Sequence, residues 1–265
     1  MSVLVCFHAH PDDEVFGTGG IMRSAADAGH RVVLVTATDG ALGEVPDGLL
    51  TEGESLHDRR QRELERSAEV LGAQRVVVLG YADSGMAGTE GNTNPHAFAN
   101  VDVEEAARRL ADVLVEEQAR VLTVYDSHGG YGHPDHVQVH HVGVRAAAIA
   151  EVPFVYEATM NRDRMREMMT ANPNWDPGEN EDASQLDIEA FGLPESELTT
   201  AVDVSGVLAA KRAAMVVHES QIGDFGPFIP MSDEDLASAF GTEWFRRIVP
   251  PVDAPGAVRE TALPL

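Results

Sequence analysis

The chain has 265 residues, 44 of them acidic against 19 basic, for a formal charge of −25 with Lys211 as its only lysine. Nucleic acid and anionic membrane need a cationic face, which this balance argues against; the acidity fits a well-solvated surface and hints at a salty habitat. A lone cysteine, Cys6, excludes an internal disulfide, and the length suits one large α/β domain, taken as residues 1–265.

The first apolar run, at 3–7, predicts a strand that ends in HAHPDDE, from His8 to Glu14. Further strand-like runs follow at 31–37, 75–79, 120–125 and 153–157. Helices are expected between them at about 19–28, 57–71, 103–118 and 135–150, each with apolar residues three and four apart. Gly29 and Gly72 stand where C-cap glycines would close two of these helices. Alternation of this kind is the pattern of a Rossmann-like, three-layer αβα fold with a mainly parallel sheet. Beyond 157 the pattern weakens. Residues 171–198 read as a long polar loop, a helix is expected near 205–217, and 246–265 read as a proline-rich tail. No charged leader or long hydrophobic segment appears, so a soluble, cytoplasmic protein is the expectation.

Acidic side chains and imidazoles crowded at the end of a buried strand are costly unless something offsets them, and a bound cation would. In an open parallel sheet, functional groups gather outside the carboxyl ends of the strands. HAHPDDE follows the first strand, and HGGYGHPDHVQVHH, from His128 to His141, follows the fourth. With those strands adjacent, the two stretches meet over one crevice. His10, Asp13 and His136 would then supply two imidazole nitrogens and a carboxylate, a set suited to a catalytic Zn²⁺ with an open position; Fe²⁺ or another divalent ion would also be accepted. Asp12 is placed to take a proton from a metal-activated water. A protonated His133 would stabilise an oxyanion or donate to a leaving amine, and Asp135 is the candidate partner that fixes a histidine tautomer. The competing reading of these residues is capping and turn chemistry. His8 is left out of the ligand set, His140 and His141 read as ordinary helix residues, and His218 stands where it could line the crevice.

The pairing of His10-Pro11-Asp12-Asp13-Glu14 with His133-Pro134-Asp135-His136 resembles the LmbE-like (PIG-L) family of zinc-dependent N-acetylglucosaminyl deacetylases. The similarity extends to Arg60-Gln61-Arg62-Glu63-Leu64, to Asp83-Ser84-Gly85-Met86, and to His218-Glu219-Ser220-Gln221 with Phe240–Phe245 near the end. It implies His10, Asp13 and His136 as zinc ligands, Asp12 as general base and His133 as an aid to the transition state. Tyr131 stands where mycothiol-pathway members polarise the substrate carbonyl, while Arg60 and Asp83 match substrate-binding positions there. The implied partner is a small N-acetylated sugar or conjugate, such as a glucosaminyl inositol, with cleavage of the amide of mycothiol S-conjugates as the alternative. Two readings from other classes compete. A nucleotide-binding dehydrogenase would use the same sheet, but Gly17-Thr18-Gly19-Gly20 lacks the required glycine spacing. A non-catalytic metal- or sugar-binding protein would keep the fold without turnover. Nothing in the sequence specifies an oligomeric state.

Overall fold

The computed structural model describes residues 1–171, 187–252 and 259–265. Seven strands form one sheet: β1 (Val3–His8), β2 (Arg31–Thr38), β3 (Arg75–Tyr81), β4 (Val121–Tyr125), β5 (Phe154–Thr159), β6 (Thr200–Asp203) and β7 (Thr242–Val249). Their order is β3-β2-β1-β4-β5-β7-β6. The first five run parallel, whereas β7 lies antiparallel to β5 and β6 antiparallel to β7. The helices are α1 (Asp13–Gly17), α2 (Gly19–Asp27), α3 (Leu56–Leu71), α4 (Val103–Glu116), α5 (Gly129–Gly132), α6 (Pro134–Ile149), α7 (Arg162–Ala171), α8 (Leu208–Val217), α9 (Ile222–Phe225) and α10 (Asp233–Phe240).

The central strands are apolar almost without a break because both of their faces are covered. Val5, Phe7, Val33, Val35, Leu122 and Val124 point into one layer with Leu110 and Leu114 of α4 and Val139 and Val142 of α6. Their neighbours Leu4, Cys6, Val32, Leu34 and Val121 point into the other, with Met22 of α2, Leu64 and Leu71 of α3 and Met215 of α8. Helix α6 lies especially close to the sheet. A Cβ at Gly143 would stand 2.3 Å from a Val124 methyl, so only glycine permits that approach.

One expectation beyond β5 needs correction. Of the expected tail at 246–265, residues 246–249 belong to β7, and Glu260 pairs with Thr200 of β6. The charged run Thr-Glu-Trp-Phe-Arg-Arg hides a strand whose inward side chains are Glu243 and Phe245, with polar partners taking the rest. In the expected loop at 171–198, Ala171 closes α7, residues 172–186 lie outside the described residues, and 187–198 hold two single 3₁₀ turns.

Glu243 ties the late strand to the early helices. Its oxygens accept from the N–H groups of Gly20 (2.7 Å) and Ile21 (2.8 Å) at the start of α2, and from Lys211 Nζ of α8 at 2.8 Å. Lys211 also donates to the Phe16 carbonyl at 3.0 Å, and both charged side chains are buried. A carboxylate is favoured at a helix N-terminus, but removing one member of a buried pair strands the other. Glu243→Ala is therefore expected to cost about 3–5 kcal/mol, read as a lowered urea midpoint at unchanged slope.

Candidate active site

Parallel pairing of β1 with β4, in register at Cys6 and Thr123, brings the two histidine-bearing turns side by side. After β1 the chain reverses through Asp12, whose φ of 127° and ψ of −30° lie in a region that residues with a Cβ avoid. Such a residue costs on the order of 1–3 kcal/mol and persists only where its surroundings hold it. After β4, buried Asp126 accepts from the N–H groups of His128 (2.9 Å) and Gly130 (3.0 Å) and folds the glycine-rich loop back. A Cβ on Gly129 would meet His136 Cβ at 2.6 Å; without one, the Gly129 carbonyl accepts from His136 Nδ1 at 3.2 Å. His133 then caps α6, and Pro134 takes its first position.

Three imidazoles converge there. The ring centroids of His10 and His133 are 4.6 Å apart, those of His133 and His136 5.1 Å, and those of His10 and His136 5.3 Å. Asp13 presents one oxygen to each of two rings, Oδ2 at 3.4 Å from His10 Nδ1 and Oδ1 at 3.3 Å from His136 Nε2. The opposite ring nitrogens are occupied. His10 Nε2 donates to Asp135 Oδ2 at 3.2 Å, and His136 Nδ1 donates to the Gly129 carbonyl. In the neutral rings both nitrogens that face Asp13 therefore carry lone pairs.

That is a donor set a divalent cation fits: two oriented imidazoles and one carboxylate, with the outward N–H groups held by protein oxygens. Among the described residues, the groups whose potential ligand atoms all lie within 4.8 Å of one another are His10, His133 and His136, and His10, Asp83, His133 and Asp135; neither includes Asp13. Backbone bonds fall on all of these groups, Asp13 included, whose Oδ2 accepts the His10 N–H at 2.8 Å. His133 Nδ1 accepts the Asp135 N–H at 3.1 Å. Asp135 accepts the N–H groups of Ser84 and Ala99, and Asp83 those of Leu42 and Gly85. The charge balance points the same way. Burial alone would lower the His10 pKa, but Asp13, Asp135 and Asp83 raise it well above the ordinary value, marking surplus negative charge that a cation would neutralise.

The chemistry of the remaining groups follows from their partners. Burial pushes the Asp12 carboxyl up to about 7, against the pull of Arg60, whose Nη2 lies 2.9 Å from Asp12 Oδ2. A carboxylate poised there suits a general base near neutral pH. Burial and the neighbouring His10 and His136 lower His133 to about 4. With Nδ1 accepting the Asp135 N–H, a neutral His133 carries its proton on Nε2 and can donate from there. Asp135 fixes two tautomers at once, His10 through its carboxylate and His133 through its backbone N–H.

Other expected site residues fall at different depths. Tyr131 is 40% exposed, its hydroxyl 3.5 Å from His136 Nε2. Asp83 is buried with Oδ1 3.5 Å from His10 Nε2. Arg60 is also buried, and besides Asp12 it donates to the carbonyls of Gly40 (2.7 Å) and Pro11 (2.5 Å). Its bonds in this structure are to the base and its loop. His8 bonds Tyr125 and Thr18, each at 2.8 Å, and His140 bonds the Tyr125 carbonyl, both away from the ligand set. His218 does not line the crevice; it lies fully buried behind Asp12 on Glu14. Glu14 itself was legible only as part of the acidic run, with no role attached.

Comparison with known proteins bears on this site. Residues 5–147 match the family model of PIG-L, GlcNAc-PI de-N-acetylase. The chain is 38% identical over 261 residues to a 1D-myo-inositol 2-acetamido-2-deoxy-α-D-glucopyranoside deacetylase of Thermomonospora curvata, covering 90% of this chain and 87% of that one. Among solved structures, N,N′-diacetylchitobiose deacetylase from Pyrococcus horikoshii superposes with a TM-score of 0.60 at 22% identity, over 94% of this chain and 84% of that one. A 4-carboxy-2-hydroxymuconate hydratase from Pseudomonas putida gives 0.59 at 20% identity, over 97% and 100%. At such identities the likeness is one of fold, and that fold carries more than one reaction.

Proposed function

Since the chain belongs to the PIG-L (GlcNAc-PI de-N-acetylase) family, we propose that it is a metal-dependent amide hydrolase that removes the acetyl group from an N-acetylglucosamine-type sugar conjugate. The observation that carries this reading is the two-sided Asp13 bridge between His10 and His136, with Asp12 and His133 beside it. His10, Asp13 and His136 would hold the cation, which we take to be zinc. When bound, it supplies a Lewis acid that activates water and polarises the acetyl carbonyl.

The chain's own residues divide the remaining work. Asp12 takes the proton of the attacking water, and Arg60 holds the acceptor oxygen of that carboxylate in place. The His133 Nε2–H and the Tyr131 hydroxyl donate to the carbonyl oxygen as it gains charge. Asp12 then returns the proton to the leaving nitrogen, releasing acetate and a free amine. Asp83, matched by resemblance to a sugar-contacting position, is buried beside His10 with its oxygens on the Leu42 and Gly85 N–H groups. Among the described residues no helix is long and apolar enough to cross a membrane.

The 38% identity to the inositol-conjugate deacetylase, over an alignment covering 90% of this chain, supports 1D-myo-inositol 2-acetamido-2-deoxy-α-D-glucopyranoside as the proposed substrate. Amine release from that compound, simple N-acetylglucosamine and a mycothiol S-conjugate, each with zinc added and then chelated, tests it. Zinc-dependent release from the inositol conjugate is expected. Release from the S-conjugate alone would replace the deacetylase reading with an amidase, and silence on all three would sink both.

Two variants probe the mechanism. Tyr131→Phe removes one donor to the developing oxyanion and is expected to lower kcat by about 10²-fold with the metal retained. Arg60→Gln removes the cation nearest Asp12, so its carboxyl pKa rises and the acid limb of the kcat/KM profile moves to higher pH. An acid limb that stays in place would separate Arg60 from the base.

A further inference from the structure

Asp12 holds a backbone conformation foreign to an L residue, and one buried carboxylate touches it there. The Asp12 N–H donates to Glu14 Oε2 at 2.9 Å. Glu14 is fully buried, and its Oε1 accepts from Ser67 Oγ of α3 at 2.5 Å and from His218 Nε2, just past α8, at 2.7 Å. His218 is fully buried too, stacked on Phe225 at 5.9 Å between centroids. Three separate stretches of chain thus converge on a carboxylate that faces neither solvent nor the ligand set. Burying it is costly unless its oxygens are paired, and here Oε1 is anchored by Ser67 and His218 while Oε2 is left to accept the Asp12 N–H.

We propose that Glu14, clamped by His218 and Ser67, is a positioning residue that locks Asp12 at its positive φ and so aims the base. The inference rests on Asp12 being the base, as read above. Arg60 fixes the carboxylate end of Asp12, and Glu14 fixes the backbone end. Backbone φ and ψ set the direction of the side chain, so a relaxed Asp12 would swing its carboxylate off line; a misplacement of about 1 Å typically costs about 10²-fold in rate.

The test uses Glu14→Leu, which removes both oxygens at similar bulk, and Glu14→Gln, which keeps an acceptor for the Asp12 N–H. In crystal structures Asp12 should leave the positive-φ region in the leucine variant and keep it in the glutamine variant. With the inositol conjugate as substrate, Glu14→Leu should lower kcat about 100-fold while KM stays within about threefold. Glu14→Gln should stay within about tenfold of wild type, and Glu14→Leu should add no loss in an Asp12→Asn background. Should Glu14→Leu fail to fold, Ser67→Ala removes a single hydroxyl and should cost about 3–10-fold in kcat, again only while Asp12 is present. An unchanged Asp12 φ in Glu14→Leu overturns the proposal even if no substrate is turned over. So does a kcat loss that persists undiminished beside Asp12→Asn. A wild-type enzyme inert on every N-acetyl sugar counts instead against the functional reading.

Discussion

Asp12→Asn is expected to bind one metal per chain and to lose about 10²–10⁴-fold in kcat, with the substrate KM little changed. Asparagine keeps the shape of the side chain and an oxygen for Arg60 Nη2, so the loop and the neighbouring ligands stay where they are. What it lacks is the basicity to take a proton from water. Burial that holds the Asp12 carboxyl near 7 gives the wild-type group that basicity at neutral pH, which an ordinary surface carboxylate does not have. Metal analysis and single-turnover kinetics on the same preparation separate the two properties. A variant that retains the metal and near-full turnover would remove Asp12 from the mechanism.

The second large effect concerns the cation. His136→Ala should lower metal affinity by more than about 100-fold, since loss of a mere outer hydrogen-bond partner of a ligand already costs about 10–100-fold. Asp13→Ala should do the same, and activity should fall to background in both. His133→Ala is the informative contrast. Its ring lies among the other two, yet its Nδ1 is taken by the Asp135 N–H, so this variant should keep stoichiometric metal and lose only rate. Metal lost from His133→Ala and kept by Asp13→Ala would move the centre to the three-histidine cluster.

Much of this site was legible in the sequence because its parts follow strand ends that periodicity alone locates. The runs at 3–7 and 120–125 place HAHPDDE and HPDH, and adjacency of β1 and β4 brings them together. Depth was not legible. Nothing in the spacing says that Arg60 turns inward onto Asp12, because an arginine at a helical position faces crevice or base according to loop packing around Gly40. Nor does the spacing show that the fold sets His133 between two further imidazoles, those of His10 and His136. The role of Glu14 escaped because its partners, Ser67 and His218, are 53 and 204 residues away along the chain. Strand β7 escaped because its inward glutamate is made tolerable only by Lys211 and the start of α2.

That tie gives the protein an unusual chemical signature. The only lysine of the sequence is 1% exposed, so the folded surface offers amine-directed reagents no ε-amino group. Acylation of Lys211 can proceed only as fast as the contact among β7, α8 and α2 opens. Its labelling rate in native buffer, followed by mass spectrometry, would therefore act as a built-in clock for that opening, with no engineered probe.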